Sequence, residues 1–241
     1  MGQLDDRVIL ITGAAKGQGA AEARMAVDRG GVVVLADVDD ETGRATAADI
    51  GSTYVHLDVS SSADWTAVVD SIVEQHGRLD GLVNNAGIFS PEGLLDGSED
   101  TFRRVIDVNQ VGVFLGMQAA APAMIDSGGG SIVNISSVAG KRGHRSVAYV
   151  ASKWAVTGMT KSAARQLAKH GVRVNSVHPG AIETDMLNDL GQTTVDRLLD
   201  QVPMGRSATA DEVASTVMFL LSDDASYVTG AELVVDGGLI V

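Results

Sequence analysis

The sequence predicts an α/β fold: one doubly wound domain, with a mostly parallel sheet of about seven strands and helices on both faces. Three observations carry this. Short apolar runs alternate with amphipathic stretches of helical length from end to end. The runs are nearly unbroken, which suits parallel strands covered on both faces. No linker, composition break or internal repeat divides the chain, so residues 1–241 are expected to form a single unit.

The elements follow in order. Arg7–Ile11 is an apolar strand entering a glycine-rich turn, Thr12–Gly19. A helix runs from about Ala20 to Asp28, and Gly30-Gly31 ends it. Val32–Ala36 is the second strand, followed by a helix from Asp39 to about Ile50. Tyr54–Leu57 and a helix over Ser62–Gln75 make the next pair, and Leu79–Val83 is the fourth strand. A long helix spans Phe102–Met124, and Ser131–Ile135 is the fifth strand. Val150 to about Lys169 is helical, Arg173–Val177 is the sixth strand, Ala210–Leu221 a helix and Glu232–Val235 the last strand. The irregular stretch 183–208 reads as a partly helical flap over the carboxyl ends of the strands, where ligands bind in this architecture. Met186, Leu187 and Leu190 would give it an apolar underside.

Composition narrows the function. Lys and Arg number 18 against 31 Asp and Glu, a formal charge of −13. Such a surface repels phosphate backbones, and no basic patch offsets it, so no nucleic-acid partner is expected. Cysteine is absent, which removes disulfides, Cys-ligated zinc and a thiol nucleophile. No His, Asp and Glu cluster has metal-ligand spacing, and no metal is expected. Residues 1–20 lack the basic start and apolar run of a secretory leader. The apolar runs fall short of the roughly 20 residues that span a bilayer. The expectation is a soluble, cytoplasmic protein without a membrane partner.

The first turn points to a nucleotide. Its glycines, Gly13, Gly17 and Gly19, flank Lys16 and Gln18 and lie between a strand and a helix. Glycines allow backbone to approach a pyrophosphate, and the helix start supplies unpaired N–H groups. Their spacing of four and then two departs from the common dinucleotide fingerprint. An ordinary tight turn would look similar. Asp37 separates the two readings. It ends strand two, 24 residues beyond Gly13, where a carboxylate accepts from both ribose hydroxyls and repels a 2′-phosphate. NAD is therefore expected over NADP, although Lys16 argues the other way. Val38 beside Asp37, and Asp58 with Val59 after strand three, are placed at the adenine edge. Asn84-Asn85-Ala86-Gly87 after strand four can tie strand ends together and let a cofactor pass close to the backbone.

The second half carries acid–base chemistry. Ser136-Ser137 follows strand five, and Tyr149 and Lys153 lie four apart on one face of the next helix. A phenol is a poor catalyst at neutral pH, but a neighbouring ammonium favours phenolate. A serine hydroxyl can hold the substrate oxygen while Tyr149 moves its proton, and Ser137 is the better placed of the two.

Together the Thr12–Gly19 turn, Asn84–Gly87, Asn109, Ser137, the Tyr149-Val150-Ala151-Ser152-Lys153 motif and Pro179-Gly180 make the chain resemble the short-chain dehydrogenase/reductase family over almost its whole length. The resemblance implies a Rossmann-type fold and hydride transfer between NAD and a secondary alcohol or ketone. It makes Tyr149 the acid–base residue and has Ser137 position the substrate oxygen. Lys153 would bind the nicotinamide ribose and lower the Tyr149 pKa, with Asn109 helping to hold a relay water. Pro179, Gly180 and the backbone near Ile182 would meet the nicotinamide carboxamide, and Thr184 the pyrophosphate. Segments such as Leu35-Ala36-Asp37-Val38 and Ala151-Ser152-Lys153-Trp154 are most similar to members acting on hydroxysteroids, implying such a substrate or a similar hydrophobic cyclic alcohol. Tyr149 follows Ser137 by 12 positions, one fewer than is usual in the family.

The resemblance also implies a homotetramer in which the helices over Phe102–Met124 and Val150–Lys169 pair across subunits, with Val105, Val113, Met117, Val156 and Met159 as the apolar positions. The alternative is that these side chains cover the sheet. A 3-oxoacyl-thioester reductase or a sugar or polyol dehydrogenase is the rival within enzymes, and Asp37 argues against the NADPH that the first would favour. An NAD-binding sensor or scaffold is the rival outside them, and it has no need of Tyr149 and Lys153. Arg142, His144 and Arg145 lie in the loop bordering the substrate side, as solvated charges or as a hold on an acidic group.

Overall fold

A computed structural model describes residues 3–188 and 191–241. Seven strands form one sheet in the order β3-β2-β1-β4-β5-β6-β7. The strands are β1 Val8–Thr12, β2 Val32–Asp37, β3 Thr53–His56, β4 Gly81–Asn84, β5 Gly130–Ile135, β6 Val172–Pro179 and β7 Glu232–Val235. Every pairing is parallel, where the sequence reading had expected a mostly parallel sheet.

The unbroken apolar runs have a simple cause. Side chains alternate across a strand, so a strand covered on both faces needs apolar residues at every position. Val8 and Leu10 join one core layer, with Trp65, Met117 and Val156. Ile9 and Ile11 join the other, with Ala23, Ala26, Val213 and Val217. The first layer is roofed by helices α3 (Ser62–His76), α5 (Gly112–Asp126) and α6 (Val147–Leu167), the second by α1 (Gly17–Asp28) and α9 (Ala210–Leu221). Helix α2, Asp40–Asp49, contributes Ala47 to the second layer. Trp65 is fully buried, and its indole N–H donates to the Val59 carbonyl at 2.9 Å, so its one polar atom is satisfied.

The predicted long helix has internal structure. Helix α4, Glu99–Ile106, runs through a single π-helical turn, Asp107–Val111, into α5. The continuous stretch Glu99–Asp126 is long and apolar enough to cross a membrane, which counting uninterrupted apolar residues does not reveal. Its inner side is committed to the sheet through Val113, Gly116, Met117, Ala120 and Met124. That packing also corrects the expected subunit contacts. Val105, Val113, Met117 and Val156 are buried within the chain, and Met159 packs partly buried against the same layer. The outward large apolar side chains on these helices are Phe102, Phe114, Val147 and Trp154.

After β6 the chain leaves the sheet and forms α7, Asp185–Asn188, and α8, Gln192–Leu199. It returns at Ala208, which bridges to Ile182, while the Glu183 N–H donates to the Ala208 carbonyl at 2.9 Å. The stretch is partly helical, as expected. Leu187 is buried and Met186 exposed, and Leu190 lies outside the described residues. Glu212 closes a capping box with Thr209 and makes two bonds to Arg206 at 2.7 Å.

Candidate active site

The strand order reverses direction beside β1, between the half that grows to β2 and β3 and the half that starts at β4. A crevice therefore opens at the carboxyl ends of β1 and β4. It holds about 1850 Å³, which exceeds an ordinary small-molecule pocket and leaves room for a dinucleotide with a substrate. Gly13, Lys16, Gly17, Gln18, Gly19, Asp37, Val38, Asp58, Val59, Asn85, Ala86, Gly87, Pro179, Gly180, Ile182 and Thr184 all line it. So do Ser137, Tyr149 and Lys153. Of the expected residues only Asn109 stands behind the wall.

At the nucleotide end the glycines are there for space. A methyl on Gly19 would lie 2.3 Å from the Gly13 carbonyl oxygen and 2.5 Å from the Asn85 amide nitrogen. Gly17 has φ +59°, a conformation that other residues adopt at a cost. Asn85 ties the two strand ends together, because its amide donates to the carbonyls of Thr12 at 2.9 Å and Gly13 at 3.1 Å. Gln18 donates to Asn85 at 3.3 Å and to Glu22 at 2.9 Å. Glu22 is completely buried, and burial pushes its carboxyl up to about 8. Asp37 accepts from the N–H groups of Ala15 at 3.0 Å, Val38 at 2.8 Å and Asp39 at 3.1 Å. Two carboxylate oxygens offer about four acceptor sites, so these bonds fix the group and leave it able to accept a hydroxyl. Asp58 caps Ser60 through one oxygen. Lys16 reaches across the crevice to Asp185 of α7 at 3.1 Å. An acidic acceptor at the β2 end and a side-chain-free turn at a helix start fit a dinucleotide.

At the chemical end Ser137, the residue after β5 and Ser136, lies against α6. The Ser137 hydroxyl lies beside the Tyr149 phenol, whose proton loss it favours, and accepts from the Ala139 N–H at 3.1 Å. The loop that is one residue short still brings these two hydroxyls together. Ser136 turns away and spends its hydroxyl on the Lys153 carbonyl at 2.9 Å. Lys153 is almost wholly buried. Its ammonium donates to the Ile135 carbonyl at 2.8 Å and lies 5.5 Å from the Tyr149 ring centre. Burial pushes Lys153 down to about 8.

One expectation changes here. Burial raises the Tyr149 phenol above its ordinary value, and Ser137 only partly offsets this. The expected lowering by Lys153 is thus outweighed by the desolvation of both groups. Asn109 sits in the π-helical turn with its amide committed: it accepts from the Ile88 N–H at 2.8 Å and donates to the Ile88 carbonyl at 2.9 Å and the Ser152 hydroxyl at 3.3 Å. The carboxamide therefore braces the Ile88 loop, a role the sequence did not suggest. It remains close to Lys153, since a methyl on Gly87 would lie 3.3 Å from the Asn109 oxygen and 3.5 Å from the Lys153 nitrogen.

The chain matches a family model described as enoyl-(acyl carrier protein) reductase over residues 13–240. It is 44% identical over 245 residues to trans-4-hydroxycyclohexanecarboxylate dehydrogenase of Sinomonas cyclohexanicum, covering 97% of this chain and 92% of that one. This chain belongs to the short-chain dehydrogenase/reductase family. Two further relatives are similar along their length. The 3-alpha-(or 20-beta)-hydroxysteroid dehydrogenase of Mycobacterium tuberculosis is 45% identical over 242 residues, covering 99% of this chain and 91% of its own. The cyclopentanol dehydrogenase of Comamonas testosteroni is 41% identical over 246 residues, covering 99% and 98%.

As a member of this family of NAD(P)-binding oxidoreductases, the chain shows further site residues that its motifs did not announce. His178, fully buried in β6, contacts the Ser137 carbonyl at 3.0 Å and the Ser176 hydroxyl at 2.9 Å. Phe89 meets the Tyr149 ring edge-on at 5.3 Å, and the His144 ring lies 6.0 Å from it. His144 is an exposed loop residue that also lines the crevice wall. His178 shares β6 with Arg173, Asn175 and Ser176, so its polarity gave no distinct signal. Nothing local marks Phe89.

Proposed function

We propose that this protein is an NAD-dependent dehydrogenase that interconverts a hydrophobic cyclic secondary alcohol, a hydroxysteroid or a smaller ring, and its ketone. One observation carries the reading: the Ser137 hydroxyl and the Tyr149 phenol face one crevice of dinucleotide size, with the buried Lys153 ammonium 5.5 Å from the phenol ring. The relatives named for hydroxycyclohexanecarboxylate, hydroxysteroid and cyclopentanol support a ring-shaped alcohol.

NAD supplies the hydride acceptor when bound. Ser137 holds the substrate oxygen, and Tyr149 takes its proton during oxidation and returns it during reduction. Because burial holds the phenol protonated, oxidation rises with pH as phenolate forms. Lys153 holds the ribose hydroxyls and offsets the phenolate charge. Gly13–Gly19 and Thr184 take the pyrophosphate, Asp58 and Val59 the adenine edge, and Pro179, Gly180 and Ile182 the carboxamide. Asp37 accepts the ribose hydroxyls and makes a 2′-phosphate costly through repulsion. Residues 183–208 form a flap over the substrate within one domain. Phe102, Phe114 and Trp154, facing outward on α4, α5 and α6, support a homotetramer, and composition supports a cytoplasmic location.

A screen of cyclopentanol, cyclohexanol and 3α-hydroxysteroids with each nicotinamide cofactor tests this at the nicotinamide absorbance. Turnover with NAD well above NADP is expected, and Asp37→Ala should narrow the gap. Activity confined to acyl thioesters, or NADP equal to NAD, would refute it. Sedimentation at micromolar concentration tests the assembly, and a monomer would overturn it.

A further inference from the structure

The crevice contains a partly buried cation that neither the nucleotide end nor the acid–base pair uses. Arg142 lies in the loop between β5 and α6 and lines the crevice. Its guanidinium reaches the Leu239 carbonyl at 3.4 Å, a long bond. Of the other cations along the crevice, Lys16 faces Asp185, Arg103 faces Glu99 and Arg145 faces Asp96, while Arg104 and Arg197 are exposed to solvent where Arg142 is half-buried. The adjacent Lys141 is bound to Glu232. Among the described residues Arg142 has no carboxylate partner, in a chain with 31 acidic side chains.

Its position relative to the reacting hydroxyls gives it a use. Moving outward from Tyr149, the wall consists of the Phe89 and His144 rings, which lie 6.2 Å from each other. Arg142, two positions before His144, lines the same crevice wall, and its charge adds to burial in holding His144 below the ordinary histidine value. A ring lying against Phe89 and His144 with its carbinol oxygen on Tyr149 would direct its far substituent toward Arg142. We propose that Arg142 determines specificity by binding a carboxylate on the cyclic alcohol, on the side of the ring away from Tyr149. This rests on the cyclic-alcohol reading and narrows it to anionic substrates. Guanidinium and carboxylate match as a planar fork, and partial burial strengthens the pair over its value in open water.

The test compares kcat/KM for 4-hydroxycyclohexanecarboxylate with that for 4-methylcyclohexanol. Arg142→Gln should lower the acid-to-neutral ratio by about ten- to a hundredfold, chiefly through KM, the scale of one charge-assisted contact. Arg142→Lys should retain part of the preference and carries the test should the first variant not fold. Arg104→Gln, an exposed cation on α4 at the same crevice, should leave the ratio within about twofold, the change expected of a solvent-screened charge. Cyclohexanecarboxylate should inhibit oxidation of the neutral alcohol competitively, with a Ki that rises in Arg142→Gln. An unchanged ratio in Arg142→Gln, or an equal fall in Arg104→Gln, overturns the assignment while the cyclic-alcohol reading stands. Oxidation of neither alcohol by the wild type removes both.

Discussion

The His178 imidazole lies 3.0 Å from the Ser137 carbonyl oxygen. A carbonyl can only accept, so Nδ1 carries the proton, and Nε2 accepts from the Ser176 hydroxyl at 2.9 Å. Burial holds His178 below its ordinary value, which favours this neutral form. The ring thereby fixes the backbone of the residue proposed to grip the substrate oxygen. Its role is positioning. His178→Leu should cost about 1–3 kcal/mol of stability by stranding a buried acceptor, read from urea unfolding. Turnover should fall further than NAD affinity. Unchanged kcat in a folded variant would refute the role.

Tyr149→Phe keeps the ring packed against Phe89 and removes the transferable proton. Turnover should fall on the order of 10²–10⁴-fold, the scale of a positioned acid–base group. NAD binding, followed by quenching of intrinsic fluorescence, should persist. Near-normal turnover would remove Tyr149 from the chemistry.

Lys153 illustrates a conflict between stability and function. Its folded-state pKa, about 8, lies below the ordinary lysine value, so burying the charge destabilises the fold at neutral pH. The unfolded chain keeps the proton between that value and about 10.4, and this group's contribution to stability therefore rises with pH across that window. Lys153→Met should abolish turnover yet raise Tm near pH 6, by the equivalent of a few kcal/mol at most. Its advantage should shrink as pH rises through 8 toward 10. A Tm below wild type at pH 6 would show that the bond to Ile135 outweighs the desolvation.

Glu22 has the opposite slope. Its folded-state pKa is about 8, raised by burial against an ordinary value of 4.5. The folded state holds a proton that the unfolded chain releases, so stability falls as pH rises from 4.5 through 8. Glu22→Gln mimics the protonated form. It should flatten that decline, with Tm close to wild type at pH 5 and higher at pH 8.5, measured by calorimetry. Parallel pH profiles would refute the buried, protonated state.

The sheet was legible because its signal is local. Both-face burial forces apolar residues at consecutive positions, and Glu232–Val235 and Ala210–Leu221 have the bounds expected of them. The nucleotide turn and the Ser137, Tyr149 and Lys153 positions were legible for a related reason: each sits where an element ends or on one helix face. What the sequence hid depends on distant partners. The π-helical turn at Asn109 and the inward face of Val113 and Met117 are settled by packing on the sheet. The upward push on Tyr149 comes from all the atoms that surround it, and a phenol four residues from an ammonium gives no hint of that.

Thr12 has a mechanical consequence. Its hydroxyl donates to the Val83 carbonyl at 3.3 Å and accepts from the N–H groups of Asn85 and Ala86, each at 3.1 Å. At the point where the two halves of the sheet part company, one side chain acts as a spacer bar between them. The mouth of the crevice is therefore gauged by the protein itself, at a width a ligand must accept. The proposed substrate flap, which departs at Ile182 and returns at Ala208, lies outside the grip of that bar.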